Sequence, residues 1–213
     1  MEGVAIPAGQ FLADGFFGIS PNLKPEPFDL DGSKKLLAEA GFPHGFRLML
    51  HAPSGRFTND ARIAEAVAQM LTRAGIDTQL ETLPPSVFFT RASSGANGLP
   101  EFSFILVGWG SDTGETSSPL RALVGTFDPT AGSGSANRGR YSNSALDNLI
   151  NEALTTVDDT KRASILATAT EIAMKDVAII PTHYQINTWA ARAGLRVDAR
   201  TDEYTLANGV TEE

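Results

Sequence analysis

Between residues 33 and 107 the chain switches repeatedly from a helical spacing of apolar residues to an extended one and back. Leu36, Leu37 and Ala40 share one face of a predicted helix over 33–40, which Asp29 or Asp31 can cap and Gly41 can end. Residues 46–51 alternate as a strand. Asn59 or Asp60 can cap a longer helix over 61–74, whose Ile63, Val67, Met70 and Leu71 recur at helical spacing before Gly75. Residues 76–83 read as a strand, and Pro84-Pro85 opens a third helix to residue 93. Residues 102–107 form a short apolar run of the kind buried on both faces of a sheet. Strands separated by helices imply mainly parallel pairing with right-handed crossovers, because a tight turn cannot join parallel neighbours. The fold class is therefore α/β.

The flanks are less regular. Residues 1–28 hold Pro7, Pro21, Pro25 and Pro27, which leave no room for a long element, and Phe11, Phe16, Phe17 and Phe28, which must lean on something. Residues 112–142 are rich in Gly, Ser, Thr and Pro and hold one short predicted helix, 118–124. Two helices are predicted next, over 142–155 and 158–175. Leu146, Leu149, Ile150 and Leu154 form the core stripe of the first, and Asp158 or Asp159 caps the second. Residues 178–185 and 187–191 read as extended, and 194–213 is charged, partly alternating and short of apolar residues.

Several classes of chemistry are disfavoured. The chain has no cysteine, which removes disulfides, thiol nucleophiles and thiolate metal sites. A formal net charge of −8 disfavours nonspecific nucleic-acid binding and adhesion to anionic membranes. No apolar run reaches the ~18–20 residues of a membrane span, and the start is not a signal peptide. His44, His51 and His183 form no His-x-x-x-His pair. The run from Gly132 to Ala136 does not fit a nucleophile elbow, and the run from Gly108 to Gly114 is one residue too long for a dinucleotide fingerprint. No cofactor is implied.

A binding site has more support. The apolar run 102–107 stops at Gly108-Trp109-Gly110 and delivers an indole and the Asp112 carboxylate into a turn. Ligands of open α/β sheets sit just beyond strand carboxyl ends. An aromatic plate beside an acid suits a cationic or amine-bearing ligand. Gly110 and Thr113 flank the acid, Phe88 and Phe89 precede the run, and His183-Tyr184 lies on a later extended segment. Arg138 and Arg140 are either solvated loop cations or partners for an acidic ligand end. Other roles compete: Trp109 as core, Asp112 as a cap of the following segment, and one of Phe88 and Phe89 facing the core.

The stretch from Leu36 to Phe46, Leu-Leu-Ala-Glu-Ala-Gly-Phe-Pro-His-Gly-Phe, resembles extracellular solute-binding proteins of peptide and nickel ABC importers. So do Ile63–Ala68 with Gly75-Ile76, the Gly108–Asp112 turn, the loop from Asn137 to Asn143, and the segment from Ile179 to Tyr184. The order and spacing of these motifs together are specific, and the similarity runs over essentially the whole chain. The resemblance implies one lobe of a periplasmic-binding-protein-like fold, with a central mixed sheet flanked by helices. It implies a C-terminal lobe: 1–30 as a crossover from an absent lobe, Met1-Glu2-Gly3 as the end of a helix, 31–193 as the ligand-binding lobe, and 194–213 as a tail returning toward the absent lobe. A secretion signal would belong to the absent part, and the location would be periplasmic or extracellular. The implied function is capture of a peptide or other small solute for a membrane permease, without catalysis, nucleic acid or direct membrane insertion. In peptide-binding members an Asp at the position of Asp112 holds the ligand's α-ammonium. Thr113 stands where oligopeptide members often carry Tyr. Two other readings predict a small hydrolase using Asp112 and Glu115, or an interaction module presenting the Phe11–Phe17 surface.

Overall fold

The computed structural model describes every residue except 1, 2, 4, 201 and 213, so the helix end read at Met1-Glu2-Gly3 lies mostly outside the described residues. In chain order the elements are β1 (Ala5–Pro7), α1 (Leu30–Glu39), β2 (Arg47–Pro53), α2 (Asp60–Ala74), β3 (Asp77–Leu83) and α3 (Pro85–Ser94). There follow α4 (Ser117–Pro119), which continues as a π-type turn over Leu120–Val124, then α5 (Ser144–Thr155), α6 (Asp159–Lys175), β4 (His183–Gln185), β5 (Leu195–Val197) and β6 (Val210–Glu212). The strands pair two by two: β2 with β3 in parallel, and β1 with β4 and β5 with β6 antiparallel. The segment 187–191, read as extended, joins no strand pair. The chain divides into two compact units, Glu26–Gly108 and Met1–Pro25 with Trp109–Glu213. The lobe expected over 31–193 therefore spans parts of both.

In the unit Glu26–Gly108, β2 and β3 run in register from Arg47 opposite Asp77 to Pro53 opposite Leu83, with α2 as the crossover. Ala64 and Ala68 bring α2 close to Leu50 and Ala52 of β2, because a methyl side chain lets backbones approach. Asp60, rather than Asn59, satisfies the start of α2. Its carboxylate accepts from the N–H groups of Gly55, Arg56, Phe57 and Ala61 at 2.8–3.1 Å. Asp29 caps α1, accepting from Gly32 N at 2.8 Å.

The apolar run 102–107 keeps its two-faced character but not its strand. Phe104 and Leu106 pack with Leu50, while Ile105 and Val107 pack with Phe88. Among the described residues a single rung joins it to β2: His51 N donates to Phe104 O at 3.0 Å and Leu106 N to His51 O at 2.9 Å. Side-chain burial on two sides holds the run in place of a longer ladder.

The second unit is built on α5 and α6. Leu146, Ile150 and Ala153 meet Ile165, Leu166, Ala169 and Ala173, with Leu120 and Val124 completing the core. Leu149 packs at its edge, but Leu154, expected in the stripe, is exposed. Asn143 caps α5 and Asp158 caps α6 through side-chain oxygens. Phe11 and Phe17 pack against this core, so the Phe11–Phe17 surface expected of an interaction module is spent on folding. Gln10 and Ser20 exchange two hydrogen bonds of 2.9 Å, and Ser20 Oγ donates to Glu171 on α6 at 2.5 Å, which ties the N-terminal segment down.

Candidate functional site

The loop that follows Gly108 is fixed at several points while its tip stays open. Ser111 is buried, and its Oγ donates to Glu115 O at 2.8 Å and accepts from Glu115 N at 3.2 Å, closing the turn on itself. Gly114 takes φ +71°, a left-handed conformation that suits glycine. Phe17 brackets the turn, donating its N–H to Gly114 O at 3.2 Å and accepting from Thr116 N at 3.0 Å and Thr116 Oγ1 at 2.8 Å. The Glu115 carboxylate meets Arg162 of α6 at 2.5 Å and accepts from Ser117 Oγ.

Against this fixed frame, Gly110, Asp112 and Thr113 are exposed, and Trp109 keeps 42 % of its surface in solvent. A buried-core role for Trp109 is not what the structure holds. Nor does Asp112 cap a helix: α4 begins at Ser117, and its N-cap is Thr116. Among the described residues the Asp112 carboxylate makes no hydrogen bond or ion pair. Gly110 has room for a side chain, since an added Cβ would meet only Glu203 Oε1 at 3.9 Å. Its small size is therefore not demanded by packing.

The other expected site residues fall elsewhere. Phe88 has 0 % exposure and is a core residue, its ring edge-on to Phe89 at 5.1 Å and stacked on Phe102 at 5.7 Å. Such a ring has no face for a ligand, and the reason is that the apolar run closes over it. Phe89 is half-buried beside it. Arg138 is half-buried too, and burial lowers the pKa of its guanidinium. Arg140 is not a loose cation: it lies 3.9 Å over the Phe127 ring and donates to Asn137 O at 2.7 Å. His183 lies 3.1 Å from Thr182 Oγ1, and burial pushes its pKa down. The Tyr184 hydroxyl is directed at Gln10 O (3.0 Å) and Leu12 O (2.8 Å), which makes it an anchor for the N-terminal segment.

Glu115, which the hydrolase reading pairs with Asp112, is committed to Arg162 and Ser117. Sequence reasoning missed three supporting residues: Ser111, Arg162 and Asn137. Asn137 is buried, and its amide donates to Gly125 O and Tyr141 O while accepting from Tyr141 N, at 2.7–3.0 Å. Arg162 carries no local signal, because the fold supplies its partner Glu115, whereas Ser111 and Asn137 each bond a residue four positions on within an irregular loop.

Comparison with known proteins now bears on this geometry. Residues 1–130 match the family model described as bacterial extracellular solute-binding proteins, family 5 Middle. Among curated relatives, the heme-binding protein A of Haemophilus influenzae is 26 % identical over 87 % of this chain and 33 % of its own length. The periplasmic oligopeptide-binding protein OppA of Salmonella typhimurium is 32 % identical over 73 % of this chain and 26 % of its own. Among solved structures, the ABC transporter-associated periplasmic binding protein DppA of Helicobacter pylori, in complex with the peptide STSA, matches with a TM-score of 0.78 at 22 % identity. That match covers 100 % of this chain and 40 % of the other. The chain thus spans less than half the length of these proteins and shares their periplasmic-binding-protein fold. It belongs to the family 5 bacterial extracellular solute-binding proteins.

Proposed function

We propose that this chain forms one wall of a cleft that captures a small solute, a peptide in the first instance, outside the cytoplasmic membrane for delivery to the permease of an ABC importer. It catalyses no reaction. The observation that carries the reading is the Asp112 carboxylate, exposed and free of partners among the described residues, on an otherwise tied loop that also exposes the indole of Trp109 three residues earlier. A carboxylate in that setting offers a charge-assisted hydrogen bond to a ligand ammonium, and the indole offers contact area. Backbone groups and Thr113 supply the less discriminating contacts.

The relatives support solute capture and leave the ligand open, since a heme-binding protein and an oligopeptide-binding protein are both among them. Fold alone does not choose between them. The free acid favours an amine-bearing solute. In the complete cleft, closure about a hinge would desolvate the ligand and add the opposite wall's contacts.

Isothermal titration of this chain with a mixture of di- to pentapeptides tests the reading. The expected result is binding weaker than ~1 μM, because half the contacts and the closure are missing. Sub-micromolar affinity would overturn the one-wall account.

A further inference from the structure

The loop carrying Asp112 holds two acids with opposite fates. Asp112 is solvated and unpartnered among the described residues, whereas Glu115 is mostly buried and paired with Arg162, their side chains only 17 % and 20 % exposed. Arg162 is itself held. Its Nε donates to Ala153 O at 3.1 Å, in the last turn of α5, and its guanidinium lies 5.3 Å over the Phe17 ring. One side chain of α6 therefore joins the end of α5, the Phe17 segment and the ligand-facing loop.

From this geometry we infer that Arg162 is a positioning residue for solute capture: through Glu115 it fixes where the loop presents Asp112. The inference rests on the reading of Asp112 as the ligand-facing carboxylate. Two effects follow. The first is mechanical. Ser111 closes the turn from within, and among the described residues Glu115 alone ties it by a side-chain ion pair to the helical core, so the loop enters binding already ordered and loses little freedom when a ligand arrives. The second is electrostatic. Arg162 neutralises Glu115, which leaves Asp112 as the uncompensated charge of the loop and matches it to a ligand with one cationic group.

The test compares the parent chain with Glu115→Ala, Arg162→Ala, their double variant and Arg162→Lys. Amide hydrogen exchange at Gly114, Glu115 and Thr116 is expected to speed roughly tenfold in either Ala variant, with little further change in the double variant. Protection across α5 and α6 should stay as in the parent, and Arg162→Lys should recover part of the loss. Should Arg162→Ala fail to fold, Glu115→Ala breaks the same bond from the loop side. Unchanged loop exchange in Glu115→Ala overturns the inference. So does a loss of protection throughout α5 and α6, which would make Arg162 a support of the fold in general. A parallel titration of the parent and Asp112→Asn with trialanine, followed by amide chemical shifts, separates the two readings. Absence of any Asp112-dependent shift counts against the peptide reading of the site, while the exchange data decide the positioning role independently.

Discussion

The stretch from Arg47 to Leu83 and the stretch from Trp109 to Tyr141 are held by different kinds of bond. In the first, a continuous parallel register joins β2 to β3, and α2 closes over it with Ala64 and Ala68. In the second, single side chains reach into an irregular backbone: Ser111 closes one turn, Asn137 stitches another, and Asp147 accepts from Thr126 N at 2.9 Å. The regular stretch satisfies its polar groups through repetition, and each rung is one of several. The irregular stretch depends on a few residues that cannot substitute for one another. The lesson is that a largely irregular stretch can be tied in place when a few side chains take over the pairing of its backbone.

The comparison can be broken or sharpened by substitution. The largest expected effect is just beyond the regular stretch, in α3, where Phe88→Ala opens a cavity under the apolar run and should cost about 3–5 kcal/mol by urea denaturation. A loss below about 1 kcal/mol would mean that the run collapses to fill the space. In the irregular stretch, Asn137→Ala strands the carbonyls of Gly125 and Tyr141 and the N–H of Tyr141, so a loss of about 2–3 kcal/mol is expected from one side chain. A loss near zero would show that water replaces Asn137 and would remove the contrast.

Asp60 gives the next effect. Burial alone would raise its carboxyl pKa, but backbone N–H groups of Phe57, Arg56, Gly55 and Ala61 outweigh it and hold the pKa below the ordinary value. The folded pKa thus lies below the unfolded one. The stability it contributes is fully present above the unfolded pKa near ~4 and is lost as pH falls through the folded pKa. Asp60→Ala should cost about 1–2 kcal/mol at pH 7, with the gap from the parent narrowing in acid. A gap that stays constant down to the lowest pH reached would contradict the assignment.

The smallest effect is expected at Asp112. Asp112→Asn should change stability by no more than about 0.5 kcal/mol, since nothing among the described residues pairs with it. A marked loss would show that Asp112 serves the fold.

How much of this was legible in the sequence follows the same division. Ile63, Val67 and Leu71 reveal α2 because a helix repeats its own constraint every turn, and the Asp29 and Asp158 caps sit beside what they cap. The family motifs likewise pointed to the fold. The apolar run 102–107 was misread as a full strand because composition records burial and not the number of rungs. Phe88 and Phe89 are adjacent and apolar, and only the packed structure tells which one closes into the core. Arg162 looked like any helical cation, since its partner Glu115 is supplied by tertiary folding. The isolation of Asp112 was invisible for the same reason: a missing partner leaves no trace in a sequence.

The central claim is that Asp112 is held free for a ligand's ammonium group. The most direct measurement is an amide chemical-shift titration of this chain with trialanine and with N-acetyl-trialanine, which lacks the ammonium. The account predicts that free trialanine shifts the amides of Trp109, Gly110, Asp112 and Thr113, and that acetylation or Asp112→Asn abolishes the response. Equal shifts from both peptides, or shifts that survive Asp112→Asn, would contradict it.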